Sequence, residues 1–106
     1  MHVIVTTCSP QDAKNLLKQL LMERVVACGN ITASVSSMYW WKGEIQDDSE
    51  SFIFMETTDE KVEAALRYIE KIHPYDVPKI LSWKPSHINE PYLEWLRTET
   101  TAPVEE

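Results

Sequence analysis

The sequence predicts an α+β fold. Three observations carry that expectation. Two stretches place apolar residues at helical spacing. Two long extended runs meet at Lys42-Gly43. Short β-branched or apolar segments stand near the start and in the last third of the chain. In order, the elements read strand, helix, strand, strand, helix, strand, which is the split βαβ or ferredoxin-like order. A short additional helix follows. All 106 residues are read as one domain, a length that suits a single core.

The first strand is residues 2–7, where Val3, Ile4, Val5, Thr6 and Thr7 form a continuous run suited to a buried central strand. Ser9-Pro10-Gln11-Asp12 opens the first helix. Ser9 is placed as N-cap, Pro10 at the first helical position and Asp12 where a capping-box acid sits. Residues 10–24 form this helix, with Ala13, Leu16, Leu17, Leu20 and Leu21 as its apolar stripe. Extended runs cover residues 27–42 and 44–57, with Lys42-Gly43 as the turn. Thr58 or Asp59 caps a second helix over residues 60–73, whose stripe is Val62, Ala65, Leu66, Ile69 and Ile72. Pro74 ends it, since proline disfavours helical geometry before itself. Residues 78–83 form the last strand. Asn89-Glu90-Pro91 opens a final helix through Arg97, and residues 98–106 read as a polar, frayed tail.

The hairpin is too long for such a domain. A helix of about 14 residues spans about 21 Å, which a strand matches with about 6 residues. The runs flanking Lys42-Gly43 are more than twice that, so half of the hairpin overhangs. A two-residue turn sets Trp41 opposite Glu44. The same register carried inward sets Val35 opposite Glu50, Ala33 opposite Phe52 and Ile31 opposite Phe54, on the expected core face. Outward, that face turns polar through Ser37, Tyr39, Gln46 and Asp48, while the other gains Met38, Trp40 and Ile45. A hairpin that exchanges its apolar face has two neighbours, and the outer one is expected to be another subunit. The alternative is a hairpin curled over its own domain.

Composition excludes several function classes. The net charge of −7 argues against nucleic acid and anionic membrane surfaces, which both need basic patches. No apolar run approaches the roughly 20 residues of a membrane span. The N-terminus reads as a strand and not as a secretory signal, so a cytoplasmic location and reduced Cys8 and Cys28 are expected. Topology places Cys8 and His73 at one end of the sheet and Cys28 at the other, which argues against a disulfide. No Gly-rich phosphate loop, paired helical histidines or nucleophile with an evident base supports catalysis.

Two motifs stand out: Ser37-Met38-Tyr39-Trp40-Trp41-Lys42-Gly43-Glu44-Ile45 followed by Glu50, and His73-Pro74-Tyr75-Asp76-Val77-Pro78-Lys79-Ile80. With Val26-Ala27-Cys28 and Tyr92-Leu93-Glu94-Trp95-Leu96, the chain resembles the CutA family of divalent-cation tolerance proteins over about residues 2–97. The resemblance implies a ferredoxin-like fold, a homotrimer assembled by strand pairing across subunits, a role in copper or other divalent-metal tolerance, and no established catalysis. Its trimer architecture is like that of PII signalling proteins. The sequence departs from the family pattern in places. Thr7 stands where some relatives carry a metal-site cysteine, Ile72 where some carry a second histidine, and Asp76 where the usual residue is Glu.

The candidate metal ligands are His73 and Cys8, for copper(II) or another divalent cation held weakly. The competing roles are a helix C-cap for His73 and a small buried residue for Cys8. Tyr39, Trp41, Lys42, Glu50 and Tyr75 are the candidates for an intersubunit cleft, where the aromatic residues either bind a ligand or fill an interface. Glu50 is expected to meet a cation, to line the cleft, or to pair with Lys42 of another subunit. Three functions follow: a trimeric cation-tolerance protein, a PII-like trimeric sensor of a small ligand, and a structural anchoring module.

Overall fold

The computed structural model describes residues 1–101. Its elements are β1 (His2–Cys8), α1 (Pro10–Met22), β2 (Cys28–Ile31), β3 (Val35–Trp41), β4 (Glu44–Thr57), α2 (Val62–Ile72), β5 (Ile80–Trp83) and α3 (Glu90–Thr101). The strands form one antiparallel sheet in the order β2-β4-β1-β5, with β3 paired to the outer half of β4. This is the expected ferredoxin-like order, with an extended hairpin and an added helix.

Residues from β1 (Ile4, Cys8) and β4 (Ile53, Met55) pack with Leu16, Leu20, Ala65 and Ile69 of α1 and α2 to form the core. Side chains alternate across a strand. Val5, Thr7, Glu50, Phe52, Phe54 and Glu56 therefore lie on the face away from those helices. Gly29 is where α1 crosses β2: a Cβ there would stand 2.6 Å from a methyl of Leu17, so a larger residue would have to displace that side chain.

The outer hairpin follows the expected register. Lys42 (φ 51°) and Gly43 (φ 80°) both take left-handed geometry, as a tight turn matched to strand twist requires. Trp41 pairs with Glu44 and Val35 with Glu50. Further in, the register slips by one. Ile31 lies opposite Ile53, and Asn30 opposite Phe54. Residues 32–34 leave the ladder between β2 and β3. Thr32 bridges the break: its N–H donates to the Phe52 carbonyl (3.0 Å) and its hydroxyl accepts from the Phe52 N–H (2.9 Å). The slip turns Ile31 toward α1 and α2 and corrects the expected core face, because Phe52 and Phe54 lie on the opposite side with Glu50.

Several ends also differ from expectation. Ser9 occupies the N-cap of α1, but its side chain makes no capping bond. α1 stops at Met22 because Arg24 turns left-handed at φ 60°. Its guanidinium is held by the Glu99 carboxylate at 2.9 Å and the Glu99 carbonyl at 3.2 Å. At α2, the Thr58 carbonyl accepts from the N–H groups of Lys61 and Val62. Asp59 instead meets the Met1 amino group (3.1 Å) and Lys84 (3.2 Å). α3 continues past Arg97 to Thr101, so residues 98–101 are helical and not frayed. Buried Thr100 and the Arg24–Glu99 pair anchor that turn. The remainder of the expected tail, residues 102–106, lies outside the described residues.

Both cysteines are free thiols. Cys8 pairs with Ser51 and Cys28 with Glu56 on β4, a separation of about 17 Å along the strand. That is far beyond disulfide reach.

Candidate functional site

The loop after α2 and the end of β1 build one side of a cleft, and the outer hairpin builds the other. His73 starts the construction. Its N–H caps α2 by donating to the Ile69 carbonyl (2.8 Å). Its ring Nδ1 accepts from the Tyr75 N–H (3.1 Å), which leaves the ring proton on Nε2 to donate to the Thr7 carbonyl (2.9 Å). The rings of His73 and Tyr75 meet at 4.9 Å. Tyr75, so fixed, donates its hydroxyl to Glu50 Oε2 at 2.7 Å. A continuous chain of contacts thus joins the end of β1 to the carboxylate of Glu50.

Glu50 is 7% exposed, the only carboxylate among the buried side chains of the described residues. It sits where β4 leaves the body, opposite Val35. Burial and the Glu50 carboxylate push the Tyr75 hydroxyl up to about 12, so it remains a donor at neutral pH. Further along the hairpin, Tyr39 donates to Asp48. The carboxylate and burial raise the pKa of the Tyr39 hydroxyl. The cleft has a volume of about 710 Å³, and Tyr39, Trp41, Asp48, Glu50, Tyr75 and Asp76 are among its lining residues. Lys79 also lines it, and its ammonium stands 5.6 Å from the centroid of the Phe52 ring.

Four of the expected cleft residues, Tyr39, Trp41, Glu50 and Tyr75, are therefore brought together. Lys42 is not among the lining residues. It sits at the exposed hairpin tip, about 20 Å along β4 from Glu50. His73 stands behind the cleft at the expected end of the sheet, with both ring nitrogens engaged. Ligation through either nitrogen would cost one of those bonds. Cys8 is fully buried on the helix side of β1. Burial, then Asp12 and Glu50, push its thiol up to about 11, which opposes a thiolate. No group of three or more His, Cys, Asp or Glu with metal-binding geometry occurs among the described residues. Sequence reasoning missed Asp48, Asp76 and Lys79 as lining residues. For Asp48 the signal was available: its pairing with Ser37 puts it on the Glu50 face.

A second hollow of about 390 Å³ lies near Arg24 and Glu99, whose ion pair neutralises part of it. None of the expected site residues lines it. No helix among the described residues is long and apolar enough to cross a membrane.

Comparison with known proteins agrees with this architecture. The family model of the CutA1 divalent ion tolerance protein matches residues 1–99. The divalent-cation tolerance protein CutA of Pyrococcus horikoshii is 38% identical over 100 residues, covering 92% of this chain and 97% of that one. Protein CutA 1, chloroplastic, of Oryza sativa is 33% identical over 98 residues, but the match spans only 55% of that longer protein. Among solved structures, the CutA1 of Ehrlichia chaffeensis superposes with a TM-score of 0.91 at 32% identity, covering 95% of both chains. The protein described as PII-like CutA from Nostoc gives 0.88 at 26% identity, covering 94% of this chain and 97% of that one. This chain therefore belongs to the CutA1 divalent ion tolerance protein family.

Proposed function

We propose that this chain is a cytoplasmic homotrimer serving divalent-cation tolerance, which binds copper(II) or another divalent cation weakly in the Glu50 cleft and does so without catalysis. Its strongest support is the charge of the cleft. The lining carries Asp48, Glu50 and Asp76 against Lys79, and Glu50 is buried with Tyr75 as its hydrogen-bond partner in the chain. Such a lining favours a cation over a phosphate-bearing ligand. His73 then serves mainly as the support that fixes Tyr75, and Cys8 as a core residue beneath it.

Assembly is supported by apolar surface that no described residue covers. Met38, Trp40 and Ile45 are 68%, 70% and 59% exposed on one face of the hairpin. Leu81 and Trp83 are exposed on β5, an edge strand. Such patches mark association surfaces, and unpaired edges accept strands of another chain. Native mass spectrometry is expected to give a trimer for the parent chain and a monomer for the double variant Trp40→Glu, Ile45→Glu. A parent chain that is monomeric at micromolar concentration removes the assembly.

Calorimetric titration with Cu²⁺ tests the cleft. Glu50→Gln is expected to lower the affinity at least tenfold, and His73→Ala to lower it less. Affinity unchanged in Glu50→Gln rejects the cleft as the cation site. If His73→Ala and Cys8→Ser abolish binding while Glu50→Gln does not, the imidazole and thiol are the ligands. The aromatic lining by Tyr39, Trp41 and Tyr75 favours a second reading, a small-ligand sensor. It gains support if an uncharged or cationic organic ligand, and not Cu²⁺, shifts the melting temperature.

A further inference from the structure

At the other end of β4, three polar side chains from three elements converge away from the cleft. Cys28 starts β2, Glu56 faces it on β4, and Tyr92 projects from the first turns of α3. The Cys28 thiol donates to Glu56 Oε1 at 3.0 Å, and the Tyr92 hydroxyl donates to the same oxygen at 3.2 Å. Cys28 Sγ and the Tyr92 oxygen stand 2.8 Å apart. The triangle has three close edges, but thiol and phenol supply only two protons. With Glu56 as a carboxylate, one edge brings two electron-rich atoms together with no proton between them. A cation at the centre would meet all three atoms at once.

We propose that Cys28, Glu56 and Tyr92 form a second cation site, which takes a zinc-like divalent d¹⁰ ion and is independent of the Glu50 cleft. Thiolate and carboxylate are the borderline-soft donor set that such an ion takes. Binding breaks the Cys28 S–H bond, forms an S–metal bond and releases one proton to solvent, with no change of oxidation state. Glu56 contributes a carboxylate oxygen. Tyr92 stays a phenol, either as a weak oxygen ligand or as the donor that orients Glu56. The three side chains are only partly buried, so the ion has an entry path and water can complete its shell.

The geometry is close to what a metal needs. Metal bonds of about 2.3 Å to sulfur and 2.1 Å to oxygen put tetrahedral S and O donors about 3.6 Å apart. The cluster must open by less than an ångström, within side-chain motion. A metal must displace the thiol proton of Cys28, which makes binding weaken as pH falls. Because the donors come from β2, β4 and α3, the ion would also tie the added helix to the sheet.

Cadmium is the probe, because its thiolate bond gives an ultraviolet charge-transfer absorption. The reduced protein is expected to develop that band on titration with Cd²⁺ and to lose it when Zn²⁺ is added in excess. Cys28→Ser is expected to abolish the band, Glu56→Gln to weaken cadmium at least tenfold, and Tyr92→Phe to weaken it severalfold. Cys8→Ala and Glu50→Gln are expected to keep it, which separates this site from the cleft. Circular dichroism confirms that each variant is folded, and Glu56→Gln serves where Cys28→Ser is not. Absence of a band in the parent protein, or a band retained in folded Cys28→Ser, overturns the proposal. So does equal cadmium affinity in folded Glu56→Gln and the parent.

Discussion

The two ends of the inner half of β4, residues 50–57, are built from the same three residue types. Cys8, Glu50 and Tyr75 stand at one end, and Cys28, Glu56 and Tyr92 at the other. In both, a tyrosine hydroxyl donates to a glutamate, at 2.7 Å and 3.2 Å. The thiols differ. Cys28 pairs directly with Glu56 and shares its face. Cys8 pairs with Ser51, one residue beyond Glu50, and therefore points to the helix side. One step of strand parity separates a cluster of three side chains from a buried thiol behind a Tyr–Glu pair. Proximity along the chain decides neither outcome, since Tyr92 is 36 residues from Glu56.

The largest effect that tests this comparison is alkaline. Burial pushes Cys8 and Cys28 from 9.0 to about 11 in the fold. Between those values the unfolded chain has lost the thiol protons that the folded chain keeps. Stability is therefore full below about pH 9 and is lost as pH rises through about 11. Fully buried Cys8 is worth about 2–3 kcal/mol of this fall, and partly exposed Cys28 less. Urea denaturation of the reduced protein across this range is expected to show the decline, with a shallower slope in Cys8→Ala. Stability that stays flat or rises over the range contradicts burial as the cause.

Serine substitution gives the next largest contrast. Cys8→Ser puts a hydroxyl in an apolar site and is expected to cost about 1–3 kcal/mol. Cys28→Ser keeps a donor beside Glu56 and is expected to cost less than about 1 kcal/mol. Equal costs, measured by urea midpoints at constant slope, would mean that the thiols occupy equivalent surroundings, against the parity argument.

Parity also governs how much was legible in the sequence. The Lys42-Gly43 turn and the pairing of β3 with the outer half of β4 were legible, because a tight turn fixes register locally. The shared end of Cys8 and His73 followed from topology, which the strand and helix pattern carries. The inner register was not legible, because the break at residues 32–34 is stapled by Thr32 and has no proline or glycine to mark it. Carried through unbroken, the expected register would set Cys28 opposite Thr57. Removing one residue of offset brings it to Glu56. The cleft was read from Tyr39, Trp41, Glu50 and Tyr75, whereas the Cys28 cluster needed both the corrected offset and the placement of α3. His73 was legible as a polar residue at a helix end. That both its nitrogens are spent on Thr7 and Tyr75 depends on the loop's path, which Pro74 begins but does not determine.

The smallest contrast lies between the two tyrosines and asks whether the shared Tyr–Glu contact is equivalent at both ends. Glu50 has Tyr75 as its partner in the chain and is 7% exposed. Removing that hydroxyl in Tyr75→Phe leaves a buried carboxylate without its donor, and is expected to cost about 1 kcal/mol or somewhat more. Glu56 is less buried and keeps the Cys28 thiol when Tyr92 becomes Phe, so that loss is expected near 0.5 kcal/mol. The double variant Tyr92→Phe, Cys28→Ala removes both donors at Glu56. If two partners make the difference, it should cost more than the sum of the single changes. Strict additivity would show that Glu56 is solvated well enough to need neither donor, and the likeness between the two ends would then stop at residue type.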